Sequence, residues 1–282
     1  MWLTALRIAP DLDSIMYTLA GDNDEPRGWG RKGESERVSG KLRAYGIGCE
    51  WFTLGDLDPG THLTRTHGLR SGLPPSEATA HITPRWDLGV RLIPATDDEV
   101  ETHVHVDGGS MHFQEWWTRH RARLAAESFE YRNVEHSSPA PGVLAAIAGA
   151  DVILFAPSNP VVSIGPILAI PGIAEAVRSA VAPVVGISPI IAGAVVRGMA
   201  DACLAAIGIE TAADAVALHY GSRPAGGTID AWLVDESDAP LVPHVEASGI
   251  AARAVPLWLR DLPLSAAIAG AALELAGLVR GG

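Results

Sequence analysis

Residues 151–172 read DVILFAPSNPVVSIGPILAIPG, and this stretch decides the fold. Its apolar run at 152–156 lies between an alanine-rich helical segment and a turn of Pro, Ser and Asn. Such a run is typical of a strand buried on both faces of a parallel sheet. In open α/β sheets, ligands bind beyond the carboxyl ends of the strands. We therefore expect Ser158 and Asn159, in the turn after this strand, to contact a ligand.

A second strand is predicted at residues 183–187, and the turn that follows it runs from Ser188 to Gly193. If both strands belong to one parallel sheet, the turns after them face the same crevice. Ser188 and Gly193 then join Ser158 and Asn159 as candidate ligand-binding residues. Ser, Asn, Pro and Gly also form turns where nothing binds, so a purely structural role stays open.

The pattern of predicted helices and strands changes near residue 141. After it, strands predicted at 152–156, 183–187, 231–234 and 252–256 alternate with helices predicted up to 148 and at 173–180, 199–207, 214–220 and 266–279. Repeated βα units indicate an α/β fold with a parallel, doubly wound sheet. Before it, short helical patterns, one of them predicted from residue 61 to about 69, and one hairpin predict a cap over that sheet.

The hairpin is predicted from alternation across Gly108-Gly109. On its first strand, His103, His105 and Asp107 share one face, opposite the apolar face. Two imidazoles at this spacing project the same way, as in some metal hydrolases. A zinc-dependent hydrolase is therefore one hypothesis for the function. Exposed hairpin faces also carry His without binding metal.

Asp11 and Asp13 stand just before an apolar helical stretch at residues 14–19. They could cap that helix, because carboxylates accept hydrogen bonds from its first N–H groups. Alternatively, two carboxylates one residue apart at a turn can reach Mg²⁺ or the water around it.

The composition excludes several classes of partner. The 282 residues carry a net charge of −12, so nucleic acid and anionic membranes are not expected as partners. No apolar run is long enough for a membrane span, and residues 1–20 lack a signal-peptide pattern. Only Cys49 and Cys203 are present, which favours a reducing cytoplasm. Local sites can still bind a small anionic substrate.

No GxSxG, CxxC, HExxH, Walker or GxGxxG motif is present. Longer motifs resemble the phosphoenolpyruvate or 2-phospho-L-lactate transferase family of coenzyme F420 biosynthesis, in its actinobacterial branch. They follow one another along nearly the whole chain, at residues 7–21 (RIAPDLDSIMYTLAG), 27–30 (RGWG), 54–56 (LGD), 61–63 (THL), 112–117 (HFQEWW), 156–166 (APSNPVVSIGP) and 186–191 (GISPII).

The resemblance implies a group transfer assisted by Mg²⁺. The terminal ribityl hydroxyl of the deazaflavin Fo attacks the phosphorus that bears a three-carbon acid in a guanosine diphosphate donor, and GMP leaves. Asp13 would hold the Fo hydroxyl or the metal, with Asp11 beside it. Asp56 would join the substrate site. The turns at Ser158-Asn159 and at Ser188-Gly193 would hold the nucleotide. Family members are described as dimers.

The resemblance also divides the chain into three parts. Residues 1–25 match the end of an N-terminal Rossmann-like part, residues 26–138 an inserted helical and hairpin cap, and residues 139–282 a Rossmann-like α/β core. We therefore expect a Rossmann-like, doubly wound, mostly parallel sheet with an inserted cap.

Two departures from the family pattern bear on activity. The chain carries no match to the family's N-terminal glycine-rich phosphate loop, as expected of a start site placed too far downstream or of a true truncation. In addition, Leu57 stands where the family pattern has an arginine at the substrate, and Arg65 or Arg70 nearby could substitute for it. A non-catalytic remnant that binds Fo, or that pairs with a full-length paralogue, is therefore the alternative to an active transferase.

Overall fold

The computed structural model describes residues 2–3, 6–48 and 51–278. Cys49 and residue 279, the end of the last predicted helix, lie outside the described residues. The helices are α1 (Pro10–Leu19), α2 (Arg37–Ala44), α3 (Asp58–Arg70), α4 (Pro75–Ile82), α5 (Val143–Ala148), α6 (Gly165–Ala169), α7 (Ile173–Ser179), α8 (Ala200–Ala206), α9 (Ala213–Tyr220), α10 (Val242–Ala247) and α11 (Leu262–Leu275).

The strands are β1 (Trp2–Leu3), β2 (Leu6–Arg7), β3 (Glu101–Val106), β4 (Gly109–His112), β5 (Ala126–Arg132), β6 (Ile153–Phe155), β7 (Val184–Ile187), β8 (Ile190–Ile191), β9 (Ala194–Val195), β10 (Ala231–Val234) and β11 (Ala251–Ala254). Short π turns cover Glu115–Arg119 and Pro160–Ile164, and short 3₁₀ turns cover Thr83–Arg85, Val134–His136, Arg223–Ala225 and Glu236–Leu241.

Four parallel strands form the central sheet, in the order β11-β10-β7-β6. Every residue of β7 and β10 is buried, which explains their continuous apolar sequences VVGI and AWLV. All four strands lie where the sequence predicts them. The α/β fold class is confirmed, because parallel neighbours joined through helices are the doubly wound pattern.

The sheet carries an apolar layer on each face. Val184 and Trp232 point into one layer, with α7, α9 and α10. Val185 and Leu233, the next residue on each strand, point into the other layer, with α11. Alternate residues of a strand face opposite sides, so one short sequence serves both layers.

Some helices begin earlier than predicted. Helix α11 starts at Leu262 rather than 266, because Asp261 accepts a hydrogen bond from the N–H of Leu264 at 2.8 Å and Pro263 follows in the first turn. Helix α3 starts at Asp58, three residues before the predicted residue 61.

The hairpin is confirmed, and it is part of a three-stranded antiparallel sheet in the order β4-β3-β5. The apolar face of this sheet packs on the α/β core through Val104, Trp116 and Val161. The Tyr131 hydroxyl donates a hydrogen bond to the Val161 carbonyl in the turn after β6. The sheet is therefore fixed beside the turn that follows β6.

No single helix within the described ranges is long and apolar enough to cross a membrane. A pair bent by 87°, Pro160–Ala169 with Ile173–Ser179, meets the length and composition criteria together. Buried segments inside folded domains meet the same criteria, and Val161 and Ile173 are core residues here.

Candidate active site

Helix α3 buries a polar face. Its buried polar side chains recur three and four residues apart, so they share one side of the helix. They are Asp58, Thr61, His62, Arg65 and Thr66, each at most 6% exposed. Burying polar groups is unfavourable unless each finds a partner, and an apolar face would pack more simply. A buried polar helix face is therefore a candidate functional site.

Asp13 of α1 is the main partner of this face. Arg65 forms a bidentate ion pair with the Asp13 carboxylate: Nη1 donates to Oδ2 at 3.0 Å, and Nη2 donates to Oδ1. His62 Nδ1 lies 3.5 Å from Asp13 Oδ2. Because Asp13 is only 4% exposed, its two oxygens are committed to the guanidinium in this arrangement.

The charge state of this cluster follows from burial. Burial lowers the pKa of His62 to about 4, although Asp13 pulls it upward. His62 is therefore neutral at physiological pH, and Arg65 supplies the positive charge opposite Asp13. One turn further along α1, the Tyr17 hydroxyl donates to Thr61 Oγ1 at 2.9 Å, which adds a second tie between α1 and α3.

Asp11 occupies a different environment. Its side chain retains exposed surface in the first turn of α1, where Pro10 is the first helical residue. Neighbouring protein atoms displace part of the water around its carboxylate, and this desolvation raises the pKa of Asp11. The negative charge of Asp13 raises it further. Helix α1 is preceded by Ala9 and has no side-chain cap, so the capping role considered for Asp11 and Asp13 is not the one observed.

Buried polar atoms without partners concentrate around α3. In the part of the chain that the structure describes, seven buried side-chain N or O atoms lack a hydrogen-bond partner. Five of them belong to Glu34, Asp58, His62 and Arg65. Folded proteins contain few such atoms, and each one calls for an explanation such as a ligand, a proton or a solvent molecule.

Glu34 and Asp58 contribute three of those five atoms. The Glu34 side chain has no exposed surface, and a Cβ added at Gly30 or Gly55 would overlap its carboxylate. Burial raises the pKa of Glu34. Burial and the charge of Glu34 raise the pKa of Asp58 to about 6. The negative charge of Glu34 thus disfavours the ionised form of Asp58.

Asp56 has a structural partner. Its Oδ1 accepts from the Ser35 N–H at 2.8 Å, and its Oδ2 accepts from the Ser35 hydroxyl at 2.6 Å. These hydrogen bonds lower the pKa of Asp56. The pair joins the segment that carries Glu34 to the residues before α3. Leu57, the next residue, is 39% exposed.

Ser158 and Asn159 follow β6, as the sequence predicts. Asn159 Oδ1 accepts from the N–H groups of Val161 at 2.9 Å and Val162 at 3.2 Å, so this oxygen caps the following π turn. Asn159 Nδ2 is buried, and a hydrogen bond from the Asn159 side chain to Cys203 partly offsets the rise that burial causes in the pKa of that thiol. This amide therefore has contacts within the protein on both sides.

Ser188 and Gly193 lie on the turn after β7. Because Phe155 of β6 pairs with Gly186 of β7 in a parallel ladder, the turns after these strands share one edge of the sheet. The Ser188 hydroxyl donates to the Ile190 carbonyl at 2.8 Å and accepts from the Ile190 N–H at 3.1 Å, so it is used within its own turn. Gly193 is exposed with φ +70°, a conformation that glycine adopts readily.

One contact joins the two candidate regions. Arg197, beyond β9, donates from Nη2 to the carbonyl of Arg27 at 3.3 Å. A Cβ at Gly28 would collide with the Arg197 guanidinium. The segment that leads to Glu34 therefore touches the segment that follows Gly193.

The histidines of the hairpin do not form the ligand set that a metal hydrolase needs. His105 Nε2 lies 3.1 Å from Glu130 Oε2, whereas His103 packs edge-on against the His112 ring at 5.6 Å between centroids. His112 Nδ1 accepts from the Gln114 N–H at 3.0 Å, which places the proton of the neutral ring on Nε2 and blocks that atom as a ligand. No group of three or more His, Cys, Asp and Glu side chains among the described residues could hold a metal.

The sequence pattern indicated Asp11 and Asp13 as site candidates and Arg65 as a possible substitute for the family arginine, but it did not predict that α3 buries its polar face or that Glu34 lies near it. A signal was available: polar residues at positions 58, 61, 62, 65 and 66 follow the helical period. That pattern is ordinarily the solvent face of a helix, and only its burial marks it as a site.

Comparison with known proteins decides the family. The family model described as 2-phospho-L-lactate transferase CofD matches residues 3–251. The chain belongs to this family. A relative named phosphoenolpyruvate transferase from Streptomyces griseus is 54% identical over 282 residues, covering 99% of this chain and 87% of the relative. Relatives of the same name from Mycobacterium avium and Thermobifida fusca are 49% and 54% identical, covering 82% and 83% of their own lengths.

Solved structures support the fold. A UPF0052-family protein from Bacillus halodurans superposes with a TM-score of 0.57 at 17% identity, covering 90% of this chain and 81% of that protein. A second crystal structure from the same organism gives a TM-score of 0.53 at 18% identity. At this identity the likeness concerns the fold alone.

Proposed function

We propose that this chain moves a phosphoenolpyruvyl or 2-phospholactyl group from a guanosine diphosphate donor to the terminal ribityl hydroxyl of Fo. The hydroxyl oxygen bonds to the phosphorus that bears the three-carbon acid, and the bond from that phosphorus to the bridging oxygen breaks. GMP departs with the bonding electrons, and the hydroxyl proton is lost. Membership of the transferase family supports the reaction class. The observation that carries the proposal is the buried polar face of α3 against Asp13.

The chain's own residues supply positioning and electrostatics, which are the main requirements of phosphoryl transfer. We infer that Asp11, with exposed surface beside Asp13, meets the acceptor hydroxyl. Arg65 holds Asp13 in place, and neutral His62 adds no charge to the cluster.

The nucleotide is proposed to lie along the sheet edge. The turns after β6 and β7 place Ser158, Asn159, Ser188 and Gly193 there. The Ser158 hydroxyl, in the turn after β6, is a donor suited to a base or phosphate oxygen. The exposed turn at Gly193 lets a ligand approach the backbone closely.

Magnesium is proposed as the cofactor. When bound, it would neutralise charge on the diphosphate. The fit to Asp11 and Asp13 is incomplete, because Arg65 engages both oxygens of Asp13 and only Asp11 stays open.

Turnover with defined substrates tests the proposal. Purified chain is mixed with Fo, Mg²⁺ and either donor, and GMP and the phosphodiester product are measured by chromatography and mass spectrometry. We expect product with at least one donor and a marked loss of rate in Asp11→Asn. The matched control is Glu25→Gln, which changes an exposed acid in the turns after α1.

The non-catalytic alternative gives a different result. Saturable quenching of Fo fluorescence without any GMP release would mean that the acceptor site is present and the transfer is not. Leu57, where the family pattern has an arginine, is the observation that favours this second candidate.

We also propose a cytoplasmic homodimer. Light scattering after size-exclusion chromatography should give twice the 29.5 kDa chain mass, and a monomer mass would contradict the dimer. Cell fractionation tests the compartment.

A further inference from the structure

We propose that Asp238 is a positioning residue for nucleotide binding, because it holds the tip of the β8–β9 hairpin in a single conformation. The inference rests on the proposed function, which places the guanosine diphosphate donor against the turn from Ser188 to Gly193. Asp238 comes from a different part of the chain, the 3₁₀ turn that follows β10.

The tip of this hairpin consists of Ala192 and Gly193. Ile191 of β8 pairs with Ala194 of β9, so these two residues form the whole turn. Both have a positive φ, +51° for Ala192 and +70° for Gly193. Such a two-residue turn favours Asn, Asp or Gly, because other side chains crowd the backbone there. Ala192 is therefore in an unfavourable conformation that other contacts must maintain.

Asp238 makes a contact with this strained residue. Its Oδ2 accepts a hydrogen bond from the Ala192 N–H at 2.9 Å, although the two residues are 46 positions apart in the chain. Asp238 is 5% exposed, whereas Ala192 and Gly193 are both exposed. The hydrogen bond therefore ties the solvent-facing tip of the hairpin to a buried group behind it.

The stem of the hairpin has separate support. Ile190 and Ile191 are buried, one in each apolar layer of the sheet. The Ser188 N–H donates to the Leu233 carbonyl at 2.9 Å. These contacts do not involve Asp238. Removing its side chain should therefore change the tip and leave the stem in place.

Stability alone does not explain a carboxylate at this position. Burial raises the pKa of Asp238, and the charges of Asp235 and Asp214 raise it further, although the Ala192 N–H lowers it. An ionised group that is buried near two other acids is unfavourable. A residue that is unfavourable in its surroundings but maintains a strained turn is expected at a functional site.

The conformation of the tip affects affinity directly. Without Asp238, Ala192 can leave the left-handed region, and the exposed backbone of Gly193 moves with it. The fraction of molecules that are ready to bind nucleotide then falls, and the apparent dissociation constant rises by the same factor.

Isothermal titration calorimetry with GDP tests the inference without turnover. We expect about fivefold weaker binding in Asp238→Ala than in the wild-type chain. The double variant of Asp238→Ala with Ala192→Gly should recover most of that loss, because glycine adopts a positive φ without support. Asp238→Asn should also recover it, since its side chain keeps an oxygen that accepts from the Ala192 N–H. Glu236→Ala is the matched control, because Glu236 is exposed in the same 3₁₀ turn, and it should bind GDP like wild type.

The turnover assay separates positioning from a loss of folded protein. Asp238→Ala should raise KM for the donor about fivefold with little change in kcat, because the weakened contact concerns binding. Partial unfolding would instead lower kcat and leave KM unchanged. Circular dichroism checks that each variant is folded.

Three results would overturn the inference. The first is equal GDP binding in Asp238→Ala and wild type, and the second is no GDP binding in the wild-type chain. The third is weaker binding that Ala192→Gly does not restore. Should Asp238→Ala fail to fold, Ala192→Val decides, because a branched side chain disfavours a positive φ while Asp238 stays in place. About fivefold weaker binding in that variant supports the inference, and unchanged binding overturns it.

The same measurements distinguish this inference from the proposed function. Asp238-dependent GDP binding without product in the turnover assay would leave the role of Asp238 in nucleotide binding standing and remove the transfer reaction. Product formation with equal GDP binding in Asp238→Ala and wild type would do the reverse.

Discussion

The central sheet and the α1–α3 contact are both buried, but they are held together by different forces. Val185, Trp232 and Leu233 fill apolar layers, and the one polar group of Trp232 donates to the Ala213 carbonyl at 3.0 Å. The α1–α3 contact buries Asp13 and Arg65 instead, and it leaves polar atoms without partners. The polar group of the first region has its partner within the chain, whereas the second leaves buried nitrogen atoms of His62 and Arg65 without partners.

The difference teaches where function lies in this fold. A region whose local chemistry disagrees with simple packing is the expected place for a site, because apolar side chains would give equal or better stability. The sheet provides the apolar core, and the α1–α3 contact contains the buried charged groups. Four changes test this contrast, from the largest expected effect on stability to the smallest.

Trp232→Ala should lower the free energy of unfolding by about 3–5 kcal/mol, since it empties a fully buried ring site. Urea unfolding followed by circular dichroism measures the loss. The control is Trp258→Ala, because Trp258 is 41% exposed, and it should cost less than about 1 kcal/mol. Equal losses would mean that the sheet core is not the main source of stability.

Arg65→Met should cost about 3 kcal/mol, because it leaves the Asp13 carboxylate buried without its cation. The double variant Asp13→Asn with Arg65→Met should regain part of that loss, since no buried charge remains. Arg43→Met, on an exposed position of α2, serves as control and should change stability by less than about 0.5 kcal/mol. A double variant no more stable than Arg65→Met would contradict the pairing.

Asp58→Asn should change how stability depends on pH. The folded pKa of Asp58, about 6, lies above its ordinary value of 3.8. The folded state therefore binds this proton more tightly, and the associated stability is present at low pH and lost as the pH rises through about 6. Unfolding midpoints in metal-free buffer between pH 4 and 7 should show a larger loss in the wild-type chain than in the variant, in which burial still raises the pKa of Glu34. Parallel curves would show that Asp58 is not the group responsible.

Leu57→Arg should change stability by less than about 0.5 kcal/mol, because Leu57 is 39% exposed. It should raise kcat/KM for the transfer roughly tenfold, the effect of about 1.4 kcal/mol from a charge-assisted contact with phosphate. The matched control is Leu63→Arg, because Leu63 is exposed on α3, the helix that begins directly after Leu57. A similar gain in both variants would indicate general attraction of the donor rather than a specific contact.

Much of the fold could be predicted from local patterns. The apolar runs of β6, β7 and β10 and the alternation of β3 around Val104 identified the strands, because burial on one or both faces imposes a period of two or a continuous run. Helix starts were less accurate. Pro59 and Asp58 lie in the first turn of α3, and first-turn residues resemble loop residues in sequence.

The candidate site could be predicted from the sequence only in part. Asp11 and Asp13 became candidates because two acids at a helix start are visible in the sequence, and Ser158 and Ser188 because turns follow strands. The partner of Asp13 was not visible, since Arg65 is 52 residues away along the chain. Nor did Glu34 stand out among the mixed charges of residues 21–35.

The sequence by itself determined the parallel sheet, the hairpin and the family motifs, because hydrophobic periodicity and short-range turn chemistry are local properties. Only the tertiary structure decided which charges are buried and which are compensated. Burial depends on contacts between residues far apart in the chain, and the same side chain is solvated on a surface but requires a partner in the interior. Only the tertiary structure brings Arg65 to Asp13 and Glu34 near Asp58, because the members of each pair are far apart in the sequence.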